Sequence, residues 1–155
     1  GIEVIHNGTI HDYPSYNGSY GRSIGTVEKI FKSYPSIEIV LDIHRDAIGD
    51  DDKLRTAVQI DGISTAKTMF VLGTDSERLP HPNWKENLKL ALKLQKALNQ
   101  KHPGLTRHIY ISKNRYNQHL SYGALIIEIG GDGDTLEEAV NSTEYIAEAI
   151  NDVIN

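Results

Sequence analysis

The sequence contains no cysteine. A disulfide framework, thiolate metal sites and a cysteine nucleophile are excluded together, so any metal must be held by histidines and carboxylates. That donor set suits a catalytic rather than a structural zinc. A basic excess is also missing: 16 Lys and Arg stand against 21 Asp and Glu, for a formal charge of -5 and a pI near 5.8. A surface that tracks a nucleic-acid backbone carries the opposite balance, so no nucleic-acid partner is expected. No apolar run reaches the roughly eighteen residues that a membrane span needs, so none is expected in this chain.

Several motifs are absent as well. There is no HExxH for a one-helix zinc protease and no GxSxG elbow for a serine hydrolase. The acidic turn that starts at Asp132 suggests a calcium loop, but its twelfth position is Thr143, where a bidentate Glu is needed. Gly130, Gly131 and Gly133 follow a predicted strand and precede a helix, yet they lack both the Lys-Ser/Thr ending and the GxGxxG spacing. A nucleotide-binding reading rests on that turn alone. No signal peptide is visible, and the chain enters an apolar segment (Ile2, Val4, Ile5) without an initial Met. It reads as a piece of something longer from which any targeting segment was removed.

What is present is a periodic α/β pattern in 155 residues, enough for one domain with a proper core. "IEVI" at the start reads as a strand. Tyr20, Ile24, Val27, Phe31 and Tyr34 mark one face of a helix that Pro35 ends. "IEIVLDI" follows as a strand with little polar alternation, the pattern of a strand covered on both faces. Beyond the acidic loop "GDDDK", "LRTAVQI" and "TMFVLGT" read as two strands with a glycine turn near Gly62. Trp84, Leu88, Ala91, Leu94 and Leu98 form the stripe of a long helix closed by "HPG", with Lys89, Lys93 and Lys96 opposite on a solvated face. "RHIYIS" and "GALIIEIG" are further strands. The last helix starts at Thr135, where Glu138 completes a capping box, and Leu136, Val140, Ile146, Ile150 and Val153 are read as facing inward. The expected architecture is a three-layer α/β domain, a mostly parallel twisted sheet flanked by helices.

In open α/β sheets the site lies outside the carboxyl ends of strands. Two strands deliver unusual cargo there: "IEIVLDIH" ends on His44, and "ALIIEIG" carries Glu128 between isoleucines. A carboxylate in such a run is partly desolvated, which raises its proton affinity toward the range of a general acid or base. The plainer alternative is a strand-end Glu paired to Arg or Lys, and a strand-end His bonded to a loop. Alternation places Asp42 and Asp46 on the side of His44, where either can hold the second imidazole nitrogen. Arg45 points the other way and could neutralise a carboxylate of the protein or of a substrate. His119 in "YNQHLS" is a further candidate ligand or substrate contact, and His6 and His11 sit near the first loop. His81, His102 and His108 read as surface or turn residues.

The segments "HDYPSYNGSYGRS", "IVLDIHRDA", "MFVLGT", "NQKHPGLTR", "YNQHLS" and "LIIEIGG" extend from His11 to Gly131. Through them the chain resembles the stage II sporulation protein P amidases, relatives of zinc-dependent N-acetylmuramoyl-L-alanine amidases. The resemblance implies a peptidoglycan hydrolase acting in spore engulfment, with His44 as a zinc ligand and Glu128 as the catalytic acid/base. In that mechanism zinc polarises the amide carbonyl and Glu128 carries the proton from water to the departing amine. It also implies cutting of peptide cross-links, contact with stem peptide and glycan, and partnership with stage II sporulation proteins D and M. The location implied is extracytoplasmic and membrane-anchored, between the mother-cell and forespore membranes. Arg45 or Arg115 would meet stem-peptide carboxylates. The family's other zinc ligands belong to an upstream "HTHxxE"-type motif that this chain does not contain. The expectation is therefore an N-terminally truncated amidase domain over residues 1–155, with its first strand missing, an incomplete zinc site and no activity alone. His11 or His119 would be the first replacement ligands. The alternative is a non-catalytic cell-wall-binding or complex-forming module on the same fold.

Overall fold

The structure is a computed structural model that describes residues 2–48 and 54–154. The acidic "GDDDK" loop lies outside the described residues. The chain divides into two compact units between Glu38 and Ile39.

In the first unit the apolar spacing produces α1 (Ser19–Ser33). Gly18 precedes it at φ 84, a left-handed conformation that a residue without Cβ adopts freely. The helix stops ahead of Pro35, which has no amide to donate. The strand expected over Ile2–Ile5 does not form, and Val4 is 78% exposed. A strand needs a ladder partner, and the described residues of this unit contain no other strand. Arg22 instead ties the irregular segment to the helix by donating to the carbonyls of His11, Ser15 and Asn17.

The second unit is built from six strands and two long helices: β1 (Ile39–Asp46), β2 (Val58–Ile60), β3 (Ile63–Thr65), β4 (Thr68–Gly73), α2 (Trp84–Lys101), β5 (Tyr110–Ser112), β6 (Gly123–Gly131) and α3 (Leu136–Ile154). Four strands form a sheet in the order β1-β6-β4-β5. β1 runs parallel to β6 and β4 parallel to β5, while β4 and β6 are antiparallel. This is the mostly parallel sheet flanked by helices that the sequence pattern implies.

Details of the second unit differ from the sequence reading. The turn at Gly62 does not lead into β4. With Asp61 and Gly62 both at positive φ, it folds β2 back on β3 as a separate hairpin. The three-residue β3 is too short to carry a periodic signal. The apolar run of β1 does not mean a strand covered on both sides either. β1 is an edge of the described sheet, and Ile43 is 58% exposed. β6, with a similar run, is an interior strand. Apolar content reports that a face is buried and says nothing about lateral neighbours.

The main hydrophobic cluster lies on one face of the sheet. Phe70, Leu72, Leu125, Ile127 and Ile129 pack against Ala91, Leu94 and Leu98 of α2 and Ala139, Ile146 and Ala149 of α3. Each large side chain buried there contributes about 1.5–3 kcal/mol. Leu136 and Val140, read as inward-facing, are instead 74% and 52% exposed, because the α3 stripe that reaches the core runs through Ala139, Ile146 and Ala149. The capping box forms as expected: the Glu138 amide donates to Thr135 Oγ1 at 3.2 Å, and the Thr135 amide donates to Glu138 Oε2 at 2.9 Å. His81, read as a surface residue, is 1% exposed. Asn87 on α2 contacts its Nε2 at 3.3 Å, an anchor that lies six residues away and leaves no local pattern.

Candidate functional site

Strand alternation sends Leu41, Ile127 and Phe70 to the helix side of the sheet and the residues between them to the other side. On that second face, register places His44 opposite Glu128, and Glu128 opposite Met69. The two candidates from separate strands are thus cross-strand neighbours. A bulge follows at once, because the pairing jumps from His44–Glu128 to Asp46–Gly131.

His44 is half-buried, and its Nε2 lies 3.0 Å from Asp42 Oδ1. That hydrogen bond raises the imidazole pKa above its ordinary value against the opposing effect of burial, with the Asp42 and Glu128 charges adding to the rise. Asp42 thus occupies the role of imidazole partner that alternation suggested. Glu128 goes the other way from most carboxylates. Burial pushes its pKa up; the His44 charge pulls it down, Asp46 pushes it up, Arg107 pulls it down, and Asp42 pushes it up. Its Oε2 is buried with no hydrogen-bond partner. An unsatisfied buried oxygen of this kind costs about 1–3 kcal/mol, and a proton or a bound group would relieve it.

The remaining candidates separate. Asp46 forms a 2.6 Å ion pair with Arg107, both partly buried. Arg45 donates to the carbonyls of Gly131 and Asp134, which pins the end of β1 to the loop after β6. Arg115 donates to the Pro80 carbonyl at 3.0 Å. His119 lies in a short turn, Gln118–Leu120, whose Gln118 side chain bridges the Gly73 amide and the Val71 carbonyl. Both anchors belong to the exit of β4, across from the entry of β6, whereas Glu128 is near the exit of β6. His11 belongs to the first unit, where its Nε2 is 2.9 Å from Thr26 Oγ1. The residue that sequence reasoning passed over is Arg107. It ends the segment "NQKHPGLTR", but nothing local tells an arginine after a turn that it will reach another strand.

The glycine turn after β6 is already filled. Asp134 accepts from the amides of Gly131, Thr56 and Ala57 and from the Thr56 hydroxyl, at 2.7–3.0 Å. A side-chain carboxylate therefore sits where a phosphate would have to lie, and the nucleotide reading fails. Burial works upward on this carboxyl, but the amide and hydroxyl donors outweigh it and hold the pKa below the ordinary range.

Against this geometry, comparison with known proteins is decisive for the family. The sequence profile of the family described as Stage II sporulation protein P (SpoIIP) matches residues 1–151. The chain belongs to that family. A curated member, Stage II sporulation protein P of Bacillus subtilis (strain 168), is 31% identical over 144 residues, which are 90% of this chain and 34% of that protein. The chain thus spans about a third of the length of the curated relative it matches. Among solved structures, the CwlD amidase from Clostridioides difficile, determined in complex with the GerS lipoprotein, superposes with a TM-score of 0.56 at 16% identity. The match covers 94% of this chain and 66% of that one, and it establishes the shared fold. No helix among the described residues is long and apolar enough to cross a membrane.

Proposed function

We propose that the chain is the hydrolytic part of a peptidoglycan N-acetylmuramoyl-L-alanine amidase that acts during sporulation. The observation that carries this reading is the placement of His44 and Glu128 as direct cross-strand partners at the carboxyl ends of two parallel strands. Family membership and the amidase fold support it. Glu128 is the group that takes a proton from the attacking water and returns it to the departing amine. Its burial-raised proton affinity suits both transfers. His44, oriented by Asp42, is the proposed zinc donor. A catalytic zinc takes three protein ligands. Among the described residues no group of three or more His, Cys, Asp or Glu is placed to hold one.

By the same reading the substrate is the glycan–peptide amide, with peptide cross-links as a second target. The setting is the space between mother-cell and forespore membranes, and the partners are stage II sporulation proteins D and M. The test compares His44→Ala and Glu128→Ala with wild type in the protein at its natural length. Muropeptide release and bound zinc are both measured. The reading requires loss of zinc in the first variant, and loss of turnover with zinc retained in the second. Full release by Glu128→Ala would defeat it, and binding of peptidoglycan without any release by wild type would favour a non-catalytic wall-binding module.

A further inference from the structure

Three arginines are candidates for meeting a charged substrate, and the structure treats them differently. Arg45 donates to two backbone carbonyls and holds the end of β1. Arg115 donates to the Pro80 carbonyl and belongs to the segment anchored at the exit of β4. Arg107 differs from both. The parallel bridge between Thr68 and Thr106 puts the next residue of each segment, Met69 and Arg107, side by side. Met69 is opposite Glu128, and Glu128 is opposite His44. Arg107 is therefore the last member of a row that crosses the sheet on the face of the candidate site. Its guanidinium nevertheless reaches Asp46, on β1. The side chain must pass over β4 and β6, beside Glu128, to make that contact.

We propose that Arg107 binds a carboxylate of the substrate and so selects a carboxylate-bearing peptide; this rests on the peptidoglycan amidase reading above. A guanidinium presents five N–H donors in a planar fork. Among the described residues, the Arg107 fork meets a single acceptor, Asp46 Oδ2, through Nη1. The Nη2 and Nε edge remains for a second carboxylate, which an arginine can hold with two parallel hydrogen bonds. The arm is partly exposed, at 27% for the side chain, so a ligand can reach it. Asp46 holds it extended over the sheet before any ligand arrives, which reduces the ordering cost of binding.

The test is calorimetric titration of the protein at its natural length with two probes: a soluble muropeptide with free stem-peptide carboxylates, and the same muropeptide with those carboxylates converted to amides. Wild type should bind the free acid about tenfold or more tightly than the amide, the scale of one charge-assisted bidentate contact. Arg107→Gln should abolish that discrimination and leave amide binding unchanged, and Arg107→Lys should restore part of it. Asp46→Asn removes the partner's charge but keeps an acceptor oxygen and the fork, so it should keep the discrimination even if Arg107→Gln fails to fold. Equal weakening toward both probes in Arg107→Gln, or lost discrimination in Asp46→Asn, would reduce the pair to a structural clamp and overturn the proposal. Wild type that binds both probes equally also overturns it and leaves the amidase reading standing. Wild type that binds neither removes the peptidoglycan reading itself.

Discussion

Glu138, at the entry of α3, and Glu128, near the exit of β6, are both withdrawn from solvent, yet their surroundings treat a negative charge in opposite ways. Glu138 accepts from the Ser64 hydroxyl at 2.7 Å, from the Thr135 amide and from Arg55. Its pKa is lowered to about 2, first by Ser64 and then by the Thr135 amide. Glu128 has an oxygen with no partner, and burial raises its pKa. The first carboxylate is a joint between α3 and the β2–β3 hairpin. The second keeps a buried oxygen without a partner. Complete satisfaction suits Glu138 to architecture, and the unsatisfied oxygen beside a histidine is why Glu128 is the proposed acid–base.

The contrast can be broken in three places. The largest effect is expected at Glu128. Glu128→Gln should reduce muropeptide release by two to four orders of magnitude, as loss of a general acid–base does. The thermal melt should stay level or rise, because no hydrogen bond is lost at Oε2. A variant that loses turnover only in proportion to lost folded protein would make Glu128 another joint. The middle effect belongs to Glu138. Glu138→Gln should cost about 1–3 kcal/mol in urea denaturation, with release per folded molecule unchanged.

The pH dependence of that increment has a definite sign. A carboxylate with a depressed folded pKa contributes stability that is fully present above its unfolded value and lost as pH falls through the folded one. Wild type should therefore lose its advantage over Glu138→Gln between pH 4.5 and about 2. The smallest effect is at the helix entry. Thr135→Ala removes one acceptor of the capping box and should cost about 1 kcal/mol, read as a shift in the same denaturation curve.

Legibility in the sequence followed the range of the interactions involved. α1, α2 and α3 were visible because a helix repeats its environment every few residues, and the Thr135–Glu138 cap because its partners are three apart. β4 and β6 were visible because both of their faces are buried. Ile2, Val4 and Ile5 carry the composition of a strand, but the described residues of their unit hold no strand to pair with. β3 was missed, since three residues hold no period. His44 and Glu128 stood out as polar residues at the ends of apolar runs. Arg107 did not, because its meaning lies in Asp46, 61 residues earlier.

The sequence by itself determined the class of the fold and the family, and it singled out His44 and Glu128 as the candidates for metal and proton chemistry. Composition, periodicity and motif are local properties, and these conclusions need nothing more. Tertiary structure alone decided that β1 lies beside β6 in the register that sets His44 against Glu128. It also decided that Asp134 fills the glycine turn, that Arg45 serves backbone carbonyls, and that Arg107 spans the sheet to Asp46. Each of these is a contact between segments far apart in the chain, chosen by how the sheet packs against α2 and α3, and no stretch of sequence records its own distant neighbour.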